Sequence, residues 1–238
     1  MIVGLCGSVL FGWQLILSAN SIIEDQLQGQ MLIVSSEEHE ELRFPVAVPD
    51  TYLIAQYPVL YEGPFMEDGS GDYVVDVAAV VLFNTSQTGI DYARVVFRWD
   101  KGEYVFEAQM LPPRQAVLVL DKDRQKFAQQ QWYSCTGTQE TGEGEWLDQQ
   151  TVAVEDVDDV TICVRNNTDR AMQDIRIYYK SYLLPEQLYV GGITYCAGLG
   201  ELAPGESVQI SPFRYVKDHS RIIRTSYTSQ TNVDIFVR

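Results

Sequence analysis

Histidine is nearly missing from this chain, with two in 238 residues, His39 and His219. Imidazole is the side chain best suited to metal binding and to proton transfer near neutral pH, so its scarcity narrows the chemistry on offer. Neither histidine sits in a motif. His39 lies in "EEHEE" at 37–41, a solvated acidic run where nothing makes the side chains converge on a metal. His219 precedes Ser220 in the polar turn "KDHSR", and no GxSxG elbow accompanies it. Cysteine is sparse too. Cys6, Cys135, Cys163 and Cys196 form no CxxC and no zinc spacing, and with Cys6 in an apolar stretch an odd set of three remains. That excludes a disulfide framework. Basic residues are few, 17 against 33 acidic ones, for a net charge of −16. Such a surface repels phosphate backbones, so nucleic acid is not an expected partner. Glycines occur in "GSGDYV" and "YVGGITY", but without a phosphate-loop lysine or a GxGxxG.

Two further stretches invite a site reading. "DGSGD" at 68–72 alternates Asp68, Ser70 and Asp72 as a calcium loop does, but the downstream bidentate glutamate is absent, and a Gly-rich turn is the simpler expectation. In "YVGGITYCAGLG", Tyr189, Ile193 and Tyr195 could line a groove, with Gly191 and Gly192 admitting a partner strand; the plainer expectation is a β-bulge that packs aromatics into a core. No residue is assigned a catalytic, cofactor-binding or metal role, and no cofactor is expected.

What the chain does have begins with "MIVGLCGSVLFGWQLILSA", which carries no charged side chain from Ile2 to Ala19. As a helix those residues would span about 27 Å, close to the hydrocarbon thickness of a bilayer. An uncleaved membrane anchor over 1–20 is expected ahead of a signal peptide, since no Lys or Arg precedes Arg43 and no small-x-small cleavage site follows Ala19. "SIIEDQLQGQMLIV" then spaces Ile22, Ile23, Leu27 and Met31 helically, predicting a membrane-proximal stalk over 21–41. The acidic flank fits the translocated side, which puts the bulk of the chain outside the cytoplasm.

The body repeats itself. "NTSQTGIDYARVVF" from Asn84 is echoed by "NTDRAMQDIRIYY" from Asn167. With Asn84 set on Asn167, Val77, Ala79 and Val81 fall on Val160, Ile162 and Val164. After a one-residue deletion, Arg94 falls on Arg176 and Val95 on Ile177. "LPPRQAV" from Leu111 then meets "LAPGESV" from Leu202, and an insertion in the second copy is placed at "SYLLPEQLY". Each copy reads strand, polar turn, strand, hairpin, Leu-x-Pro turn, strand, with one apolar face per strand. The expected fold is all-β: two tandem immunoglobulin-like β-sandwich domains after an N-terminal hydrophobic helix. The first domain spans 42–127 and the second 152–238, ending in "SRIIRTSYTS" and "NVDIFVR" as strands. Between them, 128–151, rich in Gln, Gly, Thr and Glu, reads as a linker or long hairpin flanked by Trp132 and Trp146. The sequons at Asn84 and Asn166 are read as turn residues. Alternation sends Cys163 and Cys196 outward, where no inter-sheet disulfide is expected; a bond between them would need neighbouring strands with Cα atoms within about 7 Å.

"VTICVRNNTDRAMQDIRIYYK…GELAPGESVQIS" resembles the small immunoglobulin-like modules, FxLYD-type domains among them, of Gram-positive secreted and membrane-anchored proteins. The likeness covers about half the chain, its motifs are structural, and "LPPRQ" in the first copy lacks their Gly and Glu. It implies an envelope location and a protein-contact or spacer role, with another envelope protein as partner and a monomeric soluble region. The alternative is a secreted, carboxylate-dependent hydrolase of a polysaccharide, which would need two facing acids in a cleft.

Overall fold

Alternating apolar side chains decide where the strands lie. The computed structural model describes residues 41–99, 101–128, 131–142 and 151–229. The expected anchor 1–20, nearly all of the stalk 21–41 with His39, Trp146 and the strand "NVDIFVR" lie outside the described residues. Among the described residues no helix is long and apolar enough to cross a membrane.

The described chain is all-β. In order come β1 (Val46–Ala47), β2 (Leu53–Ala55), β3 (Val59–Pro64), β4 (Tyr73–Asn84), β5 (Ile90–Trp99), β6 (Gly102–Leu111) and β7 (Ala116–Leu120). They are followed by β8 (Ser134–Thr141), β9 (Val152–Asp156), β10 (Ile162–Asn166), β11 (Met172–Leu183), β12 (Leu188–Leu199), β13 (Ser207–Ile210) and β14 (Ser220–Ser229). A single 3₁₀ turn, Lys217–His219, carries the exposed His219.

Two pairs of sheets enclose two cores. In the first half, β2–β4–β7 lie against β6–β5–β8, and Leu53, Val80, Leu82 and Val117 of one sheet meet Val95, Phe97 and Phe106 of the other. In the second half, β9–β10–β13 lie against β12–β11–β14 around Val152, Ile162, Val164, Ile175, Ile177 and Tyr179. The halves are joined through β7 and β12, which pair in parallel at Val117↔Tyr189 and Leu118↔Val190. One sheet of each half thereby merges into a single eight-stranded sheet.

The polar turns explain how each half closes. Asn84 is fully buried, and its amide nitrogen donates to the carbonyls of Thr88, Leu111 and Pro112 while its oxygen accepts from Ser86 N–H and Oγ–H. Asn166 does the same: Nδ2 donates to Arg170, Leu202 and Ala203, and Oδ1 accepts from Thr168 N–H and Oγ1–H. Each asparagine ties the turn between two strands to the Leu-x-Pro turn of the strand that returns beside it. Both amides are committed to backbone carbonyls inside the protein, so the turn role prevails over the sequon.

This corrects the register expected from sequence. Asn84 corresponds to Asn166, not Asn167, and one constant offset then relates Val80 to Ile162, Ile90 to Met172 and Val95 to Ile177 without any deletion. The pairing of Val77 with Val160 fails, because Val77 is buried at 2% exposure while Val160 is 49% exposed at a hairpin tip. The adjacent "NN" in the second copy caused the slip, since a one-residue shift preserves the Asn match while sending side chains to the opposite face. In the Leu-x-Pro turns, Arg114 (φ 56°) holds the left-handed position that Gly205 (φ 71°) fills in the second half. The arginine bears a strain there of about 1 kcal/mol that glycine avoids.

The stretch 128–151, expected as a linker or long hairpin, instead supplies β8, which pairs with β5 from Ile90↔Thr141 to Arg98↔Ser134. Trp132 is fully buried against Phe97, Trp99 and Tyr104, and its backbone carbonyl accepts from Leu42 N–H. The polar face of β8 hides the strand from a composition reading, and Trp132 is what seats it.

All described cysteines are free: Cys135 buried, Cys163 half-buried and Cys196 exposed. Burial pushes the Cys135 thiol up to about 12, so at pH 8 almost none of it is thiolate. Brief iodoacetamide treatment of the native protein at pH 8, followed by peptide mass mapping, is expected to label Cys196 and leave Cys135 intact. Equal labelling of the two would show that β8 does not stay on the sheet.

Candidate functional site

The least ordinary chemistry lies at the seam between the halves. Along β11 and β12 the pairing runs Tyr179↔Tyr195 and then jumps to Ser181↔Val190, so residues 191–194 stand opposite Lys180 alone. This is a bulge, the plainer of the two readings of "YVGGITY", and it turns its peptide groups towards the lysine. Tyr195 stacks on Tyr179 with ring centroids 5.6 Å apart, and Tyr189 meets Tyr182 edge-on at 5.1 Å.

Lys180 is wholly buried. Its Nζ donates to the carbonyl oxygens of Ile193 (2.6 Å), Gln109 (3.0 Å) and Gly192 (3.1 Å), and to Thr194 Oγ1 (3.2 Å). Gln109 lies on β6 of the first half, so the ammonium bridges the seam. Thr194 adds to the bridge, donating Oγ1–H to Gln109 O (3.0 Å) and N–H to Gln109 Oε1 (3.3 Å).

The compensating carboxylate is Glu67, in the turn between β3 and β4. Its Oε2 accepts from Gly192 N–H at 2.6 Å and its Oε1 from Leu120 N–H at 2.8 Å, one donor from each half. Lys180 and Glu67 thus hold opposite ends of the same glycine, one at its carbonyl and one at its amide. Burial pulls the Lys180 ammonium down to about 7, against the pull of the Glu67 charge. Burial also pushes Glu67 up to about 7, opposed by its two backbone N–H donors and by Lys180. Only glycine fits at 192, since a Cβ there would overlap the Glu107 carbonyl oxygen. At Gly191 (φ 84°) a Cβ would come within 2.6 Å of Met66 Cβ.

The "DGSGD" turn completes the seam. Asp68 pairs with Arg124 of its own half, Asp72 lies 3.5 Å from the same guanidinium, and Arg214 of the second half donates to the Ser70 carbonyl. Arg124 also lies 4.2 Å over the Phe65 ring. The acidic alternation that suggests a calcium loop is therefore satisfied by arginine. Among the described residues, no group of three or more His, Cys, Asp or Glu could hold a metal ion. An ion pair across the seam, Arg224 to Asp91 at 3.2 Å, lies further along β14.

Sequence reasoning singled out Gly191, Gly192 and the 68–72 turn as local features. It missed Glu67 and Lys180, which are the residues that join them. Asn84, Asn166 and Lys180 are alike in being polar and fully buried, and only for the asparagines did the repeat give a signal. Comparison with protein-family models finds none that matches the chain, and comparison with curated proteins finds no similar sequence.

Proposed function

We propose that this chain is a non-catalytic, membrane-anchored extracytoplasmic protein. Its two immunoglobulin-like modules, the first extended to Thr141 by β8, act together as a stiff spacer that contacts another envelope protein. The observation that carries the reading is the seam. A freely jointed pair of modules needs only a linker, whereas here a shared sheet, a buried ammonium and a buried carboxylate fix one module on the other. Such construction suits a part whose length and orientation matter. The uncharged run from Ile2 to Ala19 supports the location, and the −16 charge suits an exposed body. The hydrolase alternative needs two facing acids beside a cleft.

Two measurements test the proposal. A reporter active only outside the cytoplasm, fused to the C-terminus of the full chain, is expected to give signal in the membrane fraction; signal confined to cytosol overturns the location. For stiffness, NMR residual dipolar couplings from both halves of the fragment beginning at Glu41 are expected to fit one alignment tensor. Gly192→Ala is expected to require two. Two tensors in the unsubstituted protein would end the spacer reading.

A further inference from the structure

Beside the seam, the Leu-Pro-Pro turn after β6 stands over the sheet β12–β11–β14 and leaves an open cleft of about 400 Å³. That volume lies within the range of small-molecule sites, roughly 300–1,000 Å³. Pro112, Pro113 and Gln115 line it from the first half, and Tyr182, Tyr189 and Arg221 from the second. Each half therefore supplies part of the lining.

The chemistry of the lining is selective. Arg221 is its only charged group, and no acidic residue lines the cleft. Among the described residues no carboxylate lies within ion-pair distance of Arg221. Its guanidinium rests 5.0 Å over the Tyr182 ring, which is itself braced edge-on by Tyr189. Stacking of this kind engages one face of the guanidinium and leaves the N–H fork at its edge able to take a carboxylate through two parallel bonds. The proline rings and tyrosines offer flat apolar surface for the body that carries the carboxylate, and Gln115 adds an amide that both donates and accepts.

We propose that this cleft binds a carboxylate carried on a six-membered ring, with the carboxylate on Arg221 and the ring between the prolines and Tyr182. Two sources share that chemistry, a sugar acid and an aromatic acid. The site goes beyond the spacer role and stands or falls independently of it.

The test uses the full-length protein and four probes by saturation-transfer NMR and titration: D-glucuronate, benzoate, and their uncharged counterparts D-glucose and benzyl alcohol. At least one acid is expected to bind with a dissociation constant of roughly 1 mM, and its uncharged counterpart at least tenfold more weakly. Which acid binds identifies the source. Arg221→Gln is expected to weaken the acid at least tenfold with the melting temperature unchanged, because the side chain is exposed. Gln115→Glu, which sets a carboxylate on the opposite wall to compete for Arg221, is expected to give a similar loss and serves if the first variant misfolds. No binding of either acid at 10-fold the expected constant, equal binding of an acid and its uncharged counterpart, or undiminished binding in the folded variants overturns the proposal.

Discussion

Replacing Lys180 by Met is expected to cost about 3–5 kcal/mol, because it strips the donor from three carbonyls and the opposite charge from Glu67. Glu67 is coupled to the lysine through the Gly192 peptide and not by direct contact. Methionine refills the space of the stem, so the loss is electrostatic. Glu67 keeps its bonds to Leu120 and Gly192 but loses its counter-charge, and the carbonyls of Gln109, Gly192 and Ile193 lose a donor. Urea unfolding of Lys180→Met, Glu67→Gln and the double variant completes a double-mutant cycle. The double variant is expected to be more stable than the two single losses would add up to, because each change removes the charge that the other strands. Additive losses would show that the two groups do not act as a pair.

The pH dependence of the same variants has a sign that can be worked out. Glu67 is raised in the folded protein, so the folded state takes up its proton first. Between about 7 and the unfolded value of about 4.3, stability therefore rises as pH falls. Lys180 is lowered, so the folded state releases its proton first, and stability rises as pH climbs from about 7 towards about 10.4. The two contributions place the weakest point of the wild type, measured against the double variant, near neutral pH. A wild type that instead gains most over the double variant at pH 7 would mean that the hydrogen bonds of the charged forms outweigh their burial.

Strand positions were legible because they rest on local alternation. β5, β10 and β11 each show an alternating apolar face, and the Leu-x-Pro turns announce β7 and β13. β4 is apolar on both faces, with Ala78, Val80 and Leu82 in one core and Val77 and Ala79 in another. β8 was hidden by its polar surface, since "SCTGTQET" is held by its pairing with β5, by buried Cys135 and by the preceding Trp132, and not by its own periodicity. The seam was illegible for a related reason. Glu67 and Lys180 are far apart in sequence and look like two ordinary surface charges until β7 and β12 pair and bring the 65–72 turn onto the bulge. Two consecutive glycines within a strand pattern were the one legible trace, because glycine inside a strand often marks close approach of another backbone. That clue located the contact without naming what approaches, which is Glu107 and Glu67.

The asparagine turns give the second large effect and a direct check on the register. Asn166→Ala is expected to destabilise the protein by about 3–5 kcal/mol, since it removes five hydrogen bonds from a fully buried side chain and leaves the Leu202 and Ala203 carbonyls without that donor. Asn166→Asp is expected to be at least as damaging. A carboxylate keeps the acceptor for Thr168, but it sets a second oxygen against three carbonyl oxygens in a site closed to bulk solvent. Asn84→Ala follows the same logic through Thr88, Leu111 and Pro112. Asn167→Ala is the control. Its side chain is exposed, and only its backbone N–H is used, donating to Thr151 O, so truncation is expected to change stability by less than about 0.5 kcal/mol. Thermal and urea unfolding of the four variants reads the result. If Asn167→Ala proved as costly as Asn166→Ala, the correspondence of Asn84 with Asn166 would be wrong, and with it the constant offset that relates β4 and β5 to β10 and β11.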